Sequence, residues 1–160
     1  MKRFILLFIA AIMVASASWA RTADDIISDL RDAKHAQYVN VGKGLMGLAR
    51  MLGDNIPGTN SGITSVRMLD LSDCKDSVRD KFRKRVRDLY KDSSYEEMMT
   101  SEKDDNRSVL LMRGDGDYVD EVVLVQTSET SDLIVVVRGH ISLDDVAKIT
   151  NDDRYYRNNR

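Results

Sequence analysis

VDEVVLVQTSETSDLIVVVRGHISL, residues 119–143, reads as a β-hairpin and decides the fold. Residues 122–127 and 133–138 are dense in β-branched side chains, and Ser128-Glu129-Thr130-Ser131-Asp132 between them is polar and turn-prone. One detail departs from simple alternation: residues 122–125 and 133–137 are apolar on both faces. Strands of that kind belong in the middle of a sheet with cover on both sides.

Working outward toward the N-terminus, Gly114-Asp115-Gly116-Asp117 is a turn by composition. Before it come a strand over 108–113, a charged turn over 102–106 and a short strand over 95–100. The best-defined helix spans 75–90, with Asp73 as its expected cap and Val78, Phe82, Val86 and Leu89 as its buried stripe. Earlier still, a strand over 63–71 follows a loop over 53–62 rich in Gly, Asn and Ser. Leu45, Leu48, Ala49 and Leu52 set a helix over 44–52, residues 38–41 alternate as a strand, and Ile26, Ile27, Leu30 and Ala33 mark a helix over 24–36. Downstream of the hairpin, Ser142 is placed to cap a last helix reaching 149.

Strands cluster in the second half and do not alternate with helices, which predicts an α+β single domain. Its expected form is a central, mainly antiparallel sheet with helices packed mostly on one face. Four short helices leave the other face as the expected seat of an unknown protein, a second copy in a homodimer, or an apolar small ligand.

The first 20 residues are set apart as a signal peptide. Lys2 and Arg3 precede an apolar run over 4–14, and Ser18 and Ala20 stand at the minus-three and minus-one positions of a cleavage site. That run is shorter than the roughly 20 residues of a membrane span, so no integral membrane segment is expected after cleavage. The domain is expected over 21–150, followed by a polar tail over 151–160. Loss of the leader takes two basic residues and no acidic one, moving the net charge from −2 to −4. The expected location is periplasmic or secreted.

The residues nominate no catalytic, cofactor-binding or metal-binding site, and no cofactor is implied. Gly42-Lys43-Gly44-Leu45-Met46-Gly47 matches G-x-G-x-x-G, but no βαβ series follows and no acidic residue stands at the required distance; close backbone packing is the expected use of these glycines. Arg79, Lys81, Arg83, Lys84, Arg85 and Arg87 make helix 75–90 basic, yet Asp76, Asp80 and Asp88 are interleaved, as in a solvated helix face. With no aromatic ladder beside that charge, and with export, no nucleic-acid partner is expected. Asp115-Gly116-Asp117 fails the calcium-loop spacing, since Val119, Asp120 and Gln126 occupy ligand or glycine positions, and reads as an acidic turn. Cys74 has no partner for an internal disulfide and is expected to be buried and inert. Met46, Met51, Met68, Met98, Met99 and Met112 are scattered as core filler. His140, near Asp144 and Asp145, supports a weak acid–base alternative, a small hydrolase or lyase, for which a nucleophile is lacking.

Four pieces of the chain resemble the DUF4252 family, small exported proteins found mostly in Bacteroidetes, of unassigned function. They are the strand and helix over 38–52, Gly62-Ile63-Thr64-Ser65-Val66-Arg67-Met68-Leu69 leading into a charged helix, Tyr95-Glu96-Glu97-Met98-Met99, and the closing Leu133-Ile134-Val135-Val136-Val137-Arg138-Gly139-His140-Ile141-Ser142-Leu143. The resemblance implies an architecture and is nearly silent on chemistry. Many members resemble lipoproteins with a cysteine ending the signal, whereas here Ala20-Arg21 stands at that point. The family's association with extracytoplasmic sigma factors implies a link to envelope-stress signalling. The function expected is an exported, non-enzymatic binding or interaction module of the bacterial cell envelope.

Overall fold

A computed structural model describes residues 22–44 and 62–142. The expected helices over 44–52 and 142–149, the loop over 53–61, the signal peptide and the tail therefore lie outside the described residues, in whole or almost so.

Helix α1 (Ala23–Leu30) opens on a capping box. The Thr22 hydroxyl accepts from the Asp25 N–H at 3.3 Å, and the Asp25 carboxylate accepts from the Thr22 N–H at 2.9 Å. Ala23, Ile26, Ile27 and Leu30 form its buried face. The helix stops six residues short of the expected Ala36. Beyond Leu30 the backbone bonds tighten to three-residue spacing (Ala33 to Leu30, Ala36 to Ala33), and His35 takes a positive φ of 70°. Only one small apolar residue, Ala33, continues the stripe there, too little burial to carry the helix onward.

Strands β1 (Gln37–Val41) and β2 (Ile63–Asp70) pair antiparallel, with Val39 opposite Met68. Helix α2 (Asp76–Leu89) follows and buries Phe82, Val86 and Leu89. Its N-cap is Lys75, without a side-chain bond, and not the expected Asp73. The Asp73 carboxylate instead accepts from the Gln37 amide at 3.3 Å, beside β1. The remainder is a meander, β3 (Glu96–Lys103), β4 (Asn106–Asp115), β5 (Tyr118–Thr127) and β6 (Asp132–Ser142). The turn between β3 and β4 is tighter than expected, only Asp104 and Asp105. Ser142 ends β6.

All six strands form one antiparallel sheet in the order β1-β2-β6-β5-β4-β3. The hairpin of residues 119–143 thus supplies the two central strands, as its composition required. The protein is an α+β single domain.

Both described helices lie on one face of the sheet. Leu69, Val109, Leu111, Val123, Val125, Ile134 and Val136 pack there against Ile26, Ile27, Leu30, Phe82, Val86 and Leu89. At about 25 cal/mol per Å² of apolar surface, this layer is the main source of stability. The alternate positions, Val66, Met68, Leu110, Val122, Leu124, Val135 and Val137, face the other way and are half-buried. Among the described residues no helix covers that second face, so the expected cover on both sides is met on one side only. Ile63, Met112, Val119 and Ile141 form a smaller buried cluster at one end of it.

β2 and β6 cross closely at that end. Gly62 has φ +73°, and its carbonyl accepts from the His140 N–H at 3.0 Å. A side chain on Gly139 would stand 2.3 Å from the Gly62 carbonyl oxygen, so only glycine lets the two backbones meet.

Candidate functional site

The buried face of β5 reads Glu121, Val123, Val125, a carboxylate in line with core aliphatics. Glu121 is 0% exposed, and an isolated charge there would cost several kcal/mol, roughly, without partners. Its partners come from two other strands and a loop. Arg138 on β6 donates from Nε to Oε2 at 2.5 Å, and Arg113 on β4 stands 3.4 Å from the same oxygen. The Tyr95 hydroxyl, just before β3, donates to Oε1 and lies 3.5 Å from the Ala23 N–H that it accepts.

The chain of charges continues. Arg138 also pairs with Asp24 in the first turn of α1, at 2.5 Å, and Asp24 pairs with Arg67 of β2. The sequence Arg67–Asp24–Arg138–Glu121–Arg113 therefore crosses the sheet from β2 to β4, with a guanidinium at each end. Three cations serve two anions, a surplus of one positive charge in a chain whose formal net charge is −2. Burial alone would lower the Arg138 pKa, but the bond and charge of Glu121 and the charge of Asp24 raise it, so Arg138 stays a cation. Burial, followed by the Glu121 bond, pushes the Tyr95 phenol well above its ordinary value and keeps it a donor.

Arg113 is the end that opens outward. It lies over the Tyr95 ring at 5.2 Å and lines a groove of about 500 Å³ beneath the β4–β5 turn. Tyr95, Met112 and Val119 line this groove from inside, and Met98, Tyr118 and Glu96 stand at its exposed edge. Met98 is 48% and Tyr118 45% exposed, two of the four exposed large apolar side chains among the described residues. The arrangement offers a fixed cation beside apolar surface. Glu121 is held by three donors and is not available as a base, and Glu96 at the rim is the acid that meets solvent.

A second buried carboxylate, Asp132 at the start of β6, is also 0% exposed. Arg79 Nε donates to it at 2.6 Å and Arg83 Nε at 3.0 Å, while both guanidinium groups reach backbone carbonyls of the β5–β6 turn. Arg85 pairs with Asp29 of α1. Three of the six basic residues of α2 therefore tie the helix to the rest of the fold, and the expectation of a merely solvated face is corrected. Hydrogen bonding to Asp132, set against burial, raises the Arg83 pKa.

The other residues singled out by sequence do not converge. His140 is exposed on β6, its ring stacked on Tyr118 at 3.8 Å and 15°. It does not line the groove, and Asp144 and Asp145 lie outside the described residues. Cys74 is buried and free, its thiol pushed up by burial and then by Asp70 and Asp73. Among the described residues nothing stands within 4 Å of a side chain built on Gly42 or Gly44, and Leu45, Met46 and Gly47 of that motif lie outside the described residues. Asp115, Gly116 and Asp117 make the β4–β5 turn, with Gly116 at φ +63°, and no group of three or more metal-ligating side chains occurs among the described residues. Met112 is core filler, but Met98 and Met99 are about half exposed, at 48% and 50%, which corrects that expectation. No described helix is long and apolar enough to cross a membrane.

A six-stranded antiparallel sheet layered by two helices, with charges threaded between the layers, defines a two-layer α+β domain. The chain belongs to the DUF4252 family, a domain of unknown function, whose model matches residues 30–149. No curated protein and no solved structure matches it.

Proposed function

We propose that the protein is an exported, non-enzymatic binding module of the bacterial cell envelope, linked to envelope-stress signalling, and that its second sheet face receives a second copy of the chain. The observation that carries this is the continuous row of half-buried aliphatic side chains. Val66 and Met68 on β2, Val135 and Val137 on β6, Val122 and Leu124 on β5, and Leu110 on β4 are neighbours across four strands, with no charged residue among them. Val39, opposite Met68, extends the row and is 45% exposed. The whole face, six strands about 4.8 Å apart and 8 or so residues of about 3.3 Å long, has a footprint of roughly 750 Å², close to the ~800 Å² per partner of a standard interface. Two such faces pack as a sandwich about 10 Å thick. The apolar leader with its small-residue cleavage site supports export.

Sedimentation of the exported protein across a concentration series tests the reading. Dimerisation is expected, and Val137→Glu should abolish it while leaving the circular dichroism spectrum intact. A monomer at every concentration, with amides of this face protected by residues 45–61 or 143–160 of the same chain, would overturn it.

A further inference from the structure

The groove beneath the β4–β5 turn adjoins the sheet face just discussed through Met112 and Val119, and its chemistry is more specific. Its one cation, Arg113, is the loosely held end of the ionic chain. Glu121 is engaged by the Tyr95 hydroxyl and, at 2.5 Å, by Arg138, and Arg113 is left at 3.4 Å. With three guanidiniums to two carboxylates, the chain is one anion short, and the shortfall falls on the side chain that faces the groove. A third of the Arg113 side chain is exposed, so it reaches solvent without leaving Tyr95.

Apolar surface surrounds this cation on the remaining sides. Met112 is buried at the floor, Met98 and Tyr118 flank the opening, and Tyr118 is braced from behind by the His140 ring. Braced aromatic and thioether side chains left half in water are a marker of recognition, because methionine adapts to irregular apolar shapes. Glu96, on the rim, is the single acid lining the groove, and it is exposed, so its charge is screened by solvent. It bars dianions and a second carboxylate more than it bars one.

We propose that this groove binds a small amphipathic monoanion, its carboxylate on Arg113 and its linear apolar body between Met98, Met112 and Tyr118. A groove of about 500 Å³ is within the range of small-ligand sites and holds a body of medium chain length. The carboxylate completes the alternation of charge begun at Arg67, and the guanidinium receives it in a two-point contact.

Calorimetric titration of the exported protein with octanoate, octan-1-ol and octyltrimethylammonium separates head from body. Octanoate should bind about 10- to 100-fold more tightly than either control, the range of one charge-assisted contact. Arg113→Gln should erase that preference while leaving the octanol affinity unchanged, and Met98→Asp, at an exposed position, should weaken octanoate and octanol alike. Equal affinity for octanoate and octanol, no heat from octanoate at millimolar concentration, or an unaltered preference in Arg113→Gln would each overturn the proposal. Amide shifts confined to Val66, Val135 and Val137 would also overturn it, since the amphiphile would then sit on the sheet face.

Discussion

Removing the Asp132 carboxylate leaves Arg79 and Arg83 facing each other without a counter-charge between α2 and the β5–β6 turn. Breaking a buried pair from one side typically costs about 3–5 kcal/mol, and Asp132→Ala should lose about that in urea unfolding. Added salt should change the wild-type value little, because the carboxylate is fully buried. Tyrosines report on the same interior. Burial, only partly offset by Arg107, pushes the Tyr90 phenol up to about 12 from an ordinary 10. The neutral phenol is therefore favoured in the folded state. Its contribution is complete below pH 10 and is lost as pH rises toward about 12, because the unfolded chain ionises first. Tyr95 shifts in the same direction. Stability should fall across that window, and Tyr90→Phe should flatten part of the fall when unfolding is followed at each pH.

Elements differ in how much of them the residues announced. Helix α2 was legible because Val78, Phe82, Val86 and Leu89 repeat with the helical period, and Phe82→Ala should cost about 3–5 kcal/mol by opening a cavity between α2 and the sheet. Its cap was not legible, since Asp73 has the right chemistry but is drawn toward Gln37. Helix α1 was overextended because Ala33 matched the period while contributing little burial. The Thr22–Asp25 box that starts α1 was open to sequence reading, and Thr22→Ala should cost about 1 kcal/mol, measured as a lower melting temperature. The ionic chain was hidden for a different reason. Glu121 and Asp132 share the alternating register of Val123, Val125, Ile134 and Val136, and that mismatch was the available signal. The cations that answer them stand on β4, β6 and α2, and only the fold brings them within reach.

At the scale of the molecule, the two faces of β6 make opposite predictions for adjacent residues. Val136→Glu puts a charge among the helix-packed core and should unfold the protein, whereas Val137→Glu, one residue on, should leave unfolding within about 1 kcal/mol of wild type when both are measured below the dimerisation concentration. Comparable losses from both would show that the second face is as closed as the first. The sheet order carries a further consequence, in time. Each strand from β4 to β6 pairs with the one made just before it, but β2 pairs with β6, the last of the six to be made. Until β6 arrives, the β1–β2 ribbon has nothing to lean on, and a lone two-stranded ribbon is marginal in water. Folding should therefore start in the meander and finish when β2 zips onto β6 beside Gly62 and Gly139. Kinetic φ-values should be high at Val123 and Ile134 and near zero at Val39 and Leu69. The reverse ranking would mean that the first strands wait for nothing, and that the seam between β2 and β6 closes early.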